Sequence, residues 1–221
     1  YYGIGNELMG TLLGAVLIGL GAAFAGGKIV PKARGLIAGA LFALVFLTIG
    51  WPKLGANLGG AMAAVPAMVI VLLARRGWKP NARGLAMVAM VTVVVIGALF
   101  AADAMRGGAS QSHVGRAVDS GMFNLLDVVQ RKLALNFMLV STSMWSRLLG
   151  LSLVGSGVLL WWGMSRSAGK LLTNEESAAA LGTCFGIVGA FAFNDSGVVA
   201  AATCSVYLWT LFALRVLLNP A

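Results

Sequence analysis

Residues Gly186–Trp209 read GIVGAFAFNDSGVVAAATCSVYLW, two apolar, small-residue runs meeting at Asn194-Asp195-Ser196-Gly197. The uncharged stretches on either side, 177–194 and 196–214, hold 18 and 19 residues. A helix of that length crosses a hydrocarbon core about 30 Å thick. Two spans with a polar hairpin between them decide the class, and the rest of the chain repeats the pattern. Cutting it at its charges gives five more stretches: 8–27, 35–52, 54–74, 84–102 and 148–165. Hydrophobic residues make up 59% and charged residues 10%, with a mean hydropathy of +0.91. Soluble domains carry about 25% charged residues. The expected fold is therefore all-α, an integral membrane helical bundle of about seven spans forming one transmembrane domain over residues 1–221.

Glycine is abundant, in small-residue patterns such as Gly35-Gly39, Gly55-Gly59 and Gly182-Gly186-Gly189. In lipid, helices associate by close packing of such residues, so a compact bundle is expected. Cys184 and Cys204 both lie in apolar runs and read as packing residues rather than a disulfide framework or metal site. The chain begins Tyr1-Tyr2-Gly3 with no initiator Met and no basic leader, which reads as a processed product or the carboxyl-terminal part of a longer chain.

Basic residues set orientation, since Lys and Arg accumulate in short cytoplasmic connections. Lys28, Lys32 and Arg34, then Arg75, Arg76, Lys79 and Arg83, then Arg166 and Lys170, and finally Arg215 fall on one side. The other side holds Lys53 and the basic residues of 103–147, balanced by Glu7, Asp103, Asp119, Asp127 and Asp195. The expected topology has the amino terminus outside, the carboxyl terminus inside, and another span before Tyr1. The +9 net charge then reports membrane orientation and contact with anionic headgroups rather than nucleic-acid binding.

Residues 103–147 form the long outer connection. From Val118, apolar residues including Met122, Leu126, Leu133, Phe137, Val140 and Met144 recur at steps of three or four, as in an interfacial amphipathic helix or one capping the bundle. The uncharged run 133–146 is too short for a standard span, yet permits part of the helix to dip into the membrane. Asn136 and Arg147 flank that run and either line the outer mouth or, the favoured reading, snorkel toward the interface.

This topology gathers Asn6 and Glu7 before the first span, Trp51–Asn57 between the second and third, His113 and Arg116 in the long loop, and Asn194, Asp195 and Ser196 at the hairpin. They form a candidate substrate-binding set at the outer mouth. Glu7 is either an exposed juxtamembrane acid or, since Gly3-Ile4-Gly5 permits a tight turn, aimed together with Asn6. Asn194-Asp195-Ser196-Gly197 is either a surface hairpin turn or a break at depth, with Asp195 or Ser196 capping the next helix. His113 is either a solvated loop residue or, with Arg116, a grip for phosphate. No complete catalytic motif occurs, and no cofactor is expected. An oxygen-ligand Mg²⁺ or Ca²⁺ site using Glu7 and Asp195 is chemically allowed.

YYGIGNELMG (1–10), FNDSGVVAAAT (193–203) and the intervening His113-Val114-Gly115-Arg116 resemble the carboxyl-terminal region of a family of large bacterial multi-pass membrane proteins, mostly Gram-positive. The resemblance implies that Asn6, Glu7, His113, Arg116, Asn194 and Asp195 belong together, and it implies no reaction. Three function classes follow: transport or translocation of a polar or lipid-linked substrate, an enzyme acting on a lipid-linked phosphorylated substrate at the outer face, or an accessory subunit of a larger membrane assembly.

Overall fold

In the computed structural model, which describes residues 3–104, 130, 134–166 and 171–218, every regular element is a helix. In chain order these are α1 (Asn6–Ala25), α2 (Pro31–Gly50), α3 (Leu58–Ala74), α4 (Ala82–Ala104), α5 (134–142), α6 (Met144–Arg166), α7 (Asn174–Phe193) and α8 (Gly197–Leu218). Six are long and apolar enough to cross a membrane, and α3, with 17 residues, is a shorter apolar helix. The chain is a multi-pass integral membrane protein.

Helix ends depart from the charge boundaries because caps, rather than charges, terminate helices. The second span begins at Pro31 at the helix start, so Arg34 lies inside α2. The seventh helix begins at Asn174, before two glutamates, because Thr173 and Glu176 form a capping box. The expected span 54–74 is shortened to Leu58–Ala74 by a folded turn over Trp51–Asn57. There Asn57 accepts the Gly60 N–H at 2.7 Å, and Ala56 takes a positive φ of 50°. Asn81 caps α4 in the same way, through the Gly84 N–H at 2.9 Å.

The centre of the bundle is α1, α3, α7 and α8; α2 and α4 flank α3, and α6 lines α8. Small residues set these approaches. A Cβ on Gly10 of α1 would come within 2.2 Å of the Ala200 carbonyl oxygen of α8. On Gly182 of α7 it would meet Val71 of α3 at 2.3 Å and the Ala67 carbonyl oxygen at 2.7 Å. Gly182 and Gly189 thus face α3, while Gly186 sits between Leu13 of α1 and Ala67 of α3. Gly35 and Gly39 do not act in this way: both look into open space on α2. Between the two ends, the centre is filled by Met9, Leu13, Leu17, Ala63, Ala64, Ala67, Ala190, Ala201 and Cys204. Ser152 and Ser205 share a 2.5 Å hydrogen bond that joins α6 to α8.

Helices α6 and α8 run parallel, since Ser152 meets Ser205, Gly155 faces Trp209 and Gly163 faces Val216. In that register Met144 stands level with Gly197. A straight continuation would carry Asn136 about 12 Å past the bundle end, at about 1.5 Å per residue. Instead Asn136 contacts Phe191, Asn194 and Gly197, so the chain folds back at Ser143 and α5 lies across the end of the α7–α8 hairpin. Of the apolar stripe read from sequence, Phe137 (73% exposed), Val140 and Met144 (79%) turn away from the bundle, while its part from Val118 to Leu133 lies outside the described residues.

Candidate functional site

One end of the bundle collects the amides. Gly3 adopts φ +81°, where its absent Cβ would collide with the Gly55 carbonyl oxygen. This lets Ile4 donate its N–H to that oxygen at 2.7 Å. Asn57 then bridges the amino-terminal segment, its Nδ2 donating to the Ile4 carbonyl at 3.1 Å and to Asn6 Oδ1 at 3.2 Å. The GIGNE stretch is therefore docked on the Trp51–Asn57 turn. Asn6 and Glu7 part company: Asn6 is half-buried against Asn57, while Glu7 is exposed.

Two residues further along α3, Gly59 packs against the α7–α8 break. A Cβ there would lie 2.4 Å from the Phe193 carbonyl oxygen and 2.9 Å from Asn194 Oδ1. Asn194 is buried (2% exposed), with its Nδ2 donating back to the Ala190 carbonyl at 3.3 Å. The break itself is held from α5. Asn136 Nδ2 donates to the carbonyls of Phe191 (2.9 Å) and Asn194 (3.3 Å), while Asn136 Oδ1 accepts the Gly197 N–H at 2.9 Å. A carboxamide supplies donors and an acceptor on one side chain, so one residue satisfies a helix carboxyl end and a helix amino end together.

This decides one expectation. Asn136 does not snorkel; it is 3% exposed and turned into the protein, because two helix ends offer it partners there. The first N–H of α8, that of Gly197, is satisfied by Asn136 Oδ1. Ser196 contributes its carbonyl to Val199 and Ala200. Asp195 is exposed at the same end, and Ser196 is half-buried beside it. His113 and Arg116 lie outside the described residues. Among the described residues, no group of three His, Cys, Asp or Glu side chains gathers as metal ligands.

The opposite end carries a second polar assembly, unforeseen as a unit. Glu175 accepts from Arg75 Nε (2.5 Å) and Nη2 (3.4 Å), and from Arg34 Nη1 (3.1 Å). Both guanidiniums lie over the Phe24 ring, at 4.6 Å for Arg75 and 5.9 Å for Arg34. Glu176, 1% exposed, gives one oxygen to the Arg215 guanidinium and the other to the Thr173 N–H and hydroxyl, each at 3.0 Å. Two adjacent carboxylates thus tie together the ends of α1, α2, α3, α7 and α8. The available signal was Thr173-Asn174-Glu175-Glu176, a capping pattern with two acids in a chain of mostly basic connections.

No protein-family model, curated protein or solved structure matches this chain.

Proposed function

We propose that this membrane protein engages the polar head of a polar or lipid-linked substrate at its amide-rich end, as one step of transport or translocation. The observation that carries this reading is the contrast between the two ends and the interior. Asn6, Asn57, Asn136 and Asn194 converge at one end, with the carboxylates of Glu7 and Asp195 exposed around them. At the opposite end the helix termini are tied by ion pairs of Glu175 and Glu176 with Arg34, Arg75 and Arg215, and the centre between the two ends is mainly apolar. A polar group is therefore favoured at the amide end and disfavoured in the interior, where an unpaired polar group costs several kcal/mol. The Lys and Arg distribution supports an outward-facing amide end and an inward-facing charge-paired end. The resemblance of the GIGNE and NDSG segments to bacterial multi-pass proteins supports reading them as one site in a bacterial cytoplasmic membrane.

The test uses the full chain in proteoliposomes loaded with fluorescent phosphatidylglycerol or fluorescent polyprenyl phosphate, with an impermeant quencher outside. The expected result is faster loss of the protected signal for one probe than in protein-free vesicles, and slower loss in Asp195→Asn and Glu7→Gln. Equal rates with and without protein, for both probes, defeat the translocation reading.

A second reading is supported by the outward exposure of Glu7 and Asp195, which suits contact with another chain as well as contact with substrate. In that case the protein is an accessory subunit, and the same two substitutions weaken its association with membrane partners instead of slowing the probes.

A further inference from the structure

Beyond the amide end and independent of the substrate it takes, the structure assigns a binding site for an anionic phospholipid to the opposite, basic end, between the α1–α2 connection and the α3–α4 turn. These two segments are held side by side. Arg34 Nε donates to the Ile29 carbonyl at 2.9 Å, Arg75 Nη1 reaches the Arg34 carbonyl at 3.5 Å, and Glu175 joins both guanidiniums. That clasp uses a single carboxylate for two arginines, so it keeps an excess positive charge.

Around it stand Lys28, Lys32, Arg76, Lys79 and Arg83, all exposed. Among the described residues, no carboxylate pairs with any of these five. The two acids at this end are already engaged, Glu175 by Arg34 and Arg75 and Glu176 by Arg215. These exposed cations therefore have no carboxylate partner among the described residues, at the level where α1 and α3 end and α2 and α4 begin. Trp78 lies in the same turn with its indole against Gly84, a placement suited to the headgroup boundary.

The apolar surface below fits acyl chains. Helices α2 and α4 meet around Phe46, Gly50 and Leu99, toward the amide end. Toward the basic end, their residues Leu36, Leu85 and Met87 are exposed. A phosphodiester held by Lys32, Arg76 and Lys79 would leave its acyl chains along this flank. The shared chemistry is a phosphate oxyanion, and the apolar flank selects a lipid over a free ion.

The experiment measures retained lipid by native mass spectrometry, and melting temperature, for the full chain in detergent. Phosphatidylglycerol, phosphatidylcholine and inorganic phosphate are added separately. Phosphatidylglycerol is expected to be retained and to raise the melting temperature, with the other two far weaker. The triple substitution Lys32→Gln, Arg76→Gln, Lys79→Gln should weaken retention at least about tenfold, given the roughly additive contribution of each basic residue near an anionic surface. Lys53→Gln, at the other end, should leave retention unchanged, and an unaltered melting temperature of the triple variant without lipid shows that it folds. Equal retention of phosphatidylglycerol and phosphatidylcholine overturns the proposal. So does stabilisation by inorganic phosphate as large as by lipid, or an equal loss in Lys53→Gln.

Discussion

The side-chain amide of Asn136 accepts the N–H of Gly197 at 2.9 Å, although 61 residues separate them in the chain. The same amide donates to the carbonyls of Phe191 in α7 and of Asn194 just beyond it, so the α7–α8 break depends on a residue of another helix. Replacing Asn136 by Leu strands the buried Gly197 N–H, the buried Asn194 carbonyl and the part-buried Phe191 carbonyl. Each costs about 1–3 kcal/mol when left unpaired, with partial relief if water enters. Asn136→Leu is expected to lower thermal stability in detergent markedly, and Asn136→Ser to lower it less. Unchanged melting of the Leu variant would show that the bracket is dispensable.

Backbone contact at Gly182 makes a second prediction. Gly182→Leu places side-chain atoms where Val71 and the Ala67 carbonyl already lie, separating α3 from α7. Overpacking of this kind costs about 1–3 kcal/mol or more. Gly39→Leu on the open face of α2 should be close to neutral. Comparing the two melting temperatures in detergent tests whether seam geometry, and not helix propensity, decides the outcome.

Glu176 and Arg215 form a pair in which the carboxylate is almost wholly enclosed. Removing one partner of a buried pair leaves an uncompensated group and typically costs about 3–5 kcal/mol. Glu176→Gln should therefore destabilise the bundle more than Glu175→Gln, whose site is more open to solvent. A double-mutant cycle with Arg215→Gln should show coupling of at least about 1 kcal/mol. Additive effects would mean that the pair contributes little.

Orientation can be read by chemical labelling. In a background of Cys184→Ala and Cys204→Ala, Asp195→Cys should react with an impermeant maleimide added outside intact cells. Lys79→Cys should react only after the membrane is opened. The reverse pattern would invert the topology drawn from the Lys and Arg distribution.

Much of the architecture was legible in the chain because transfer into lipid depends on composition over a window, and windows are local. The apolar stretches, the all-helical class and the segregation of basic residues needed only that. Helix ends were less legible: Arg34, Glu175 and Glu176 fell at charge boundaries, yet all three lie within helices because neighbouring charges and caps satisfy them. For the candidate site, Asn6, Asn57 and Asn194 were recognisable as polar residues at span ends. Their bonding pattern was not.

The sequence by itself determined that this is a membrane bundle and which residues had to seek polar partners. Only the tertiary structure decided which partners they found. Asn136 turned inward to bracket a distant hairpin, and two adjacent glutamates divided themselves between the arginines of different helices. The reason is physical: hydropathy is a sum over neighbours in the chain, whereas a hydrogen bond of about 3 Å is directional and exists only once packing has fixed both groups.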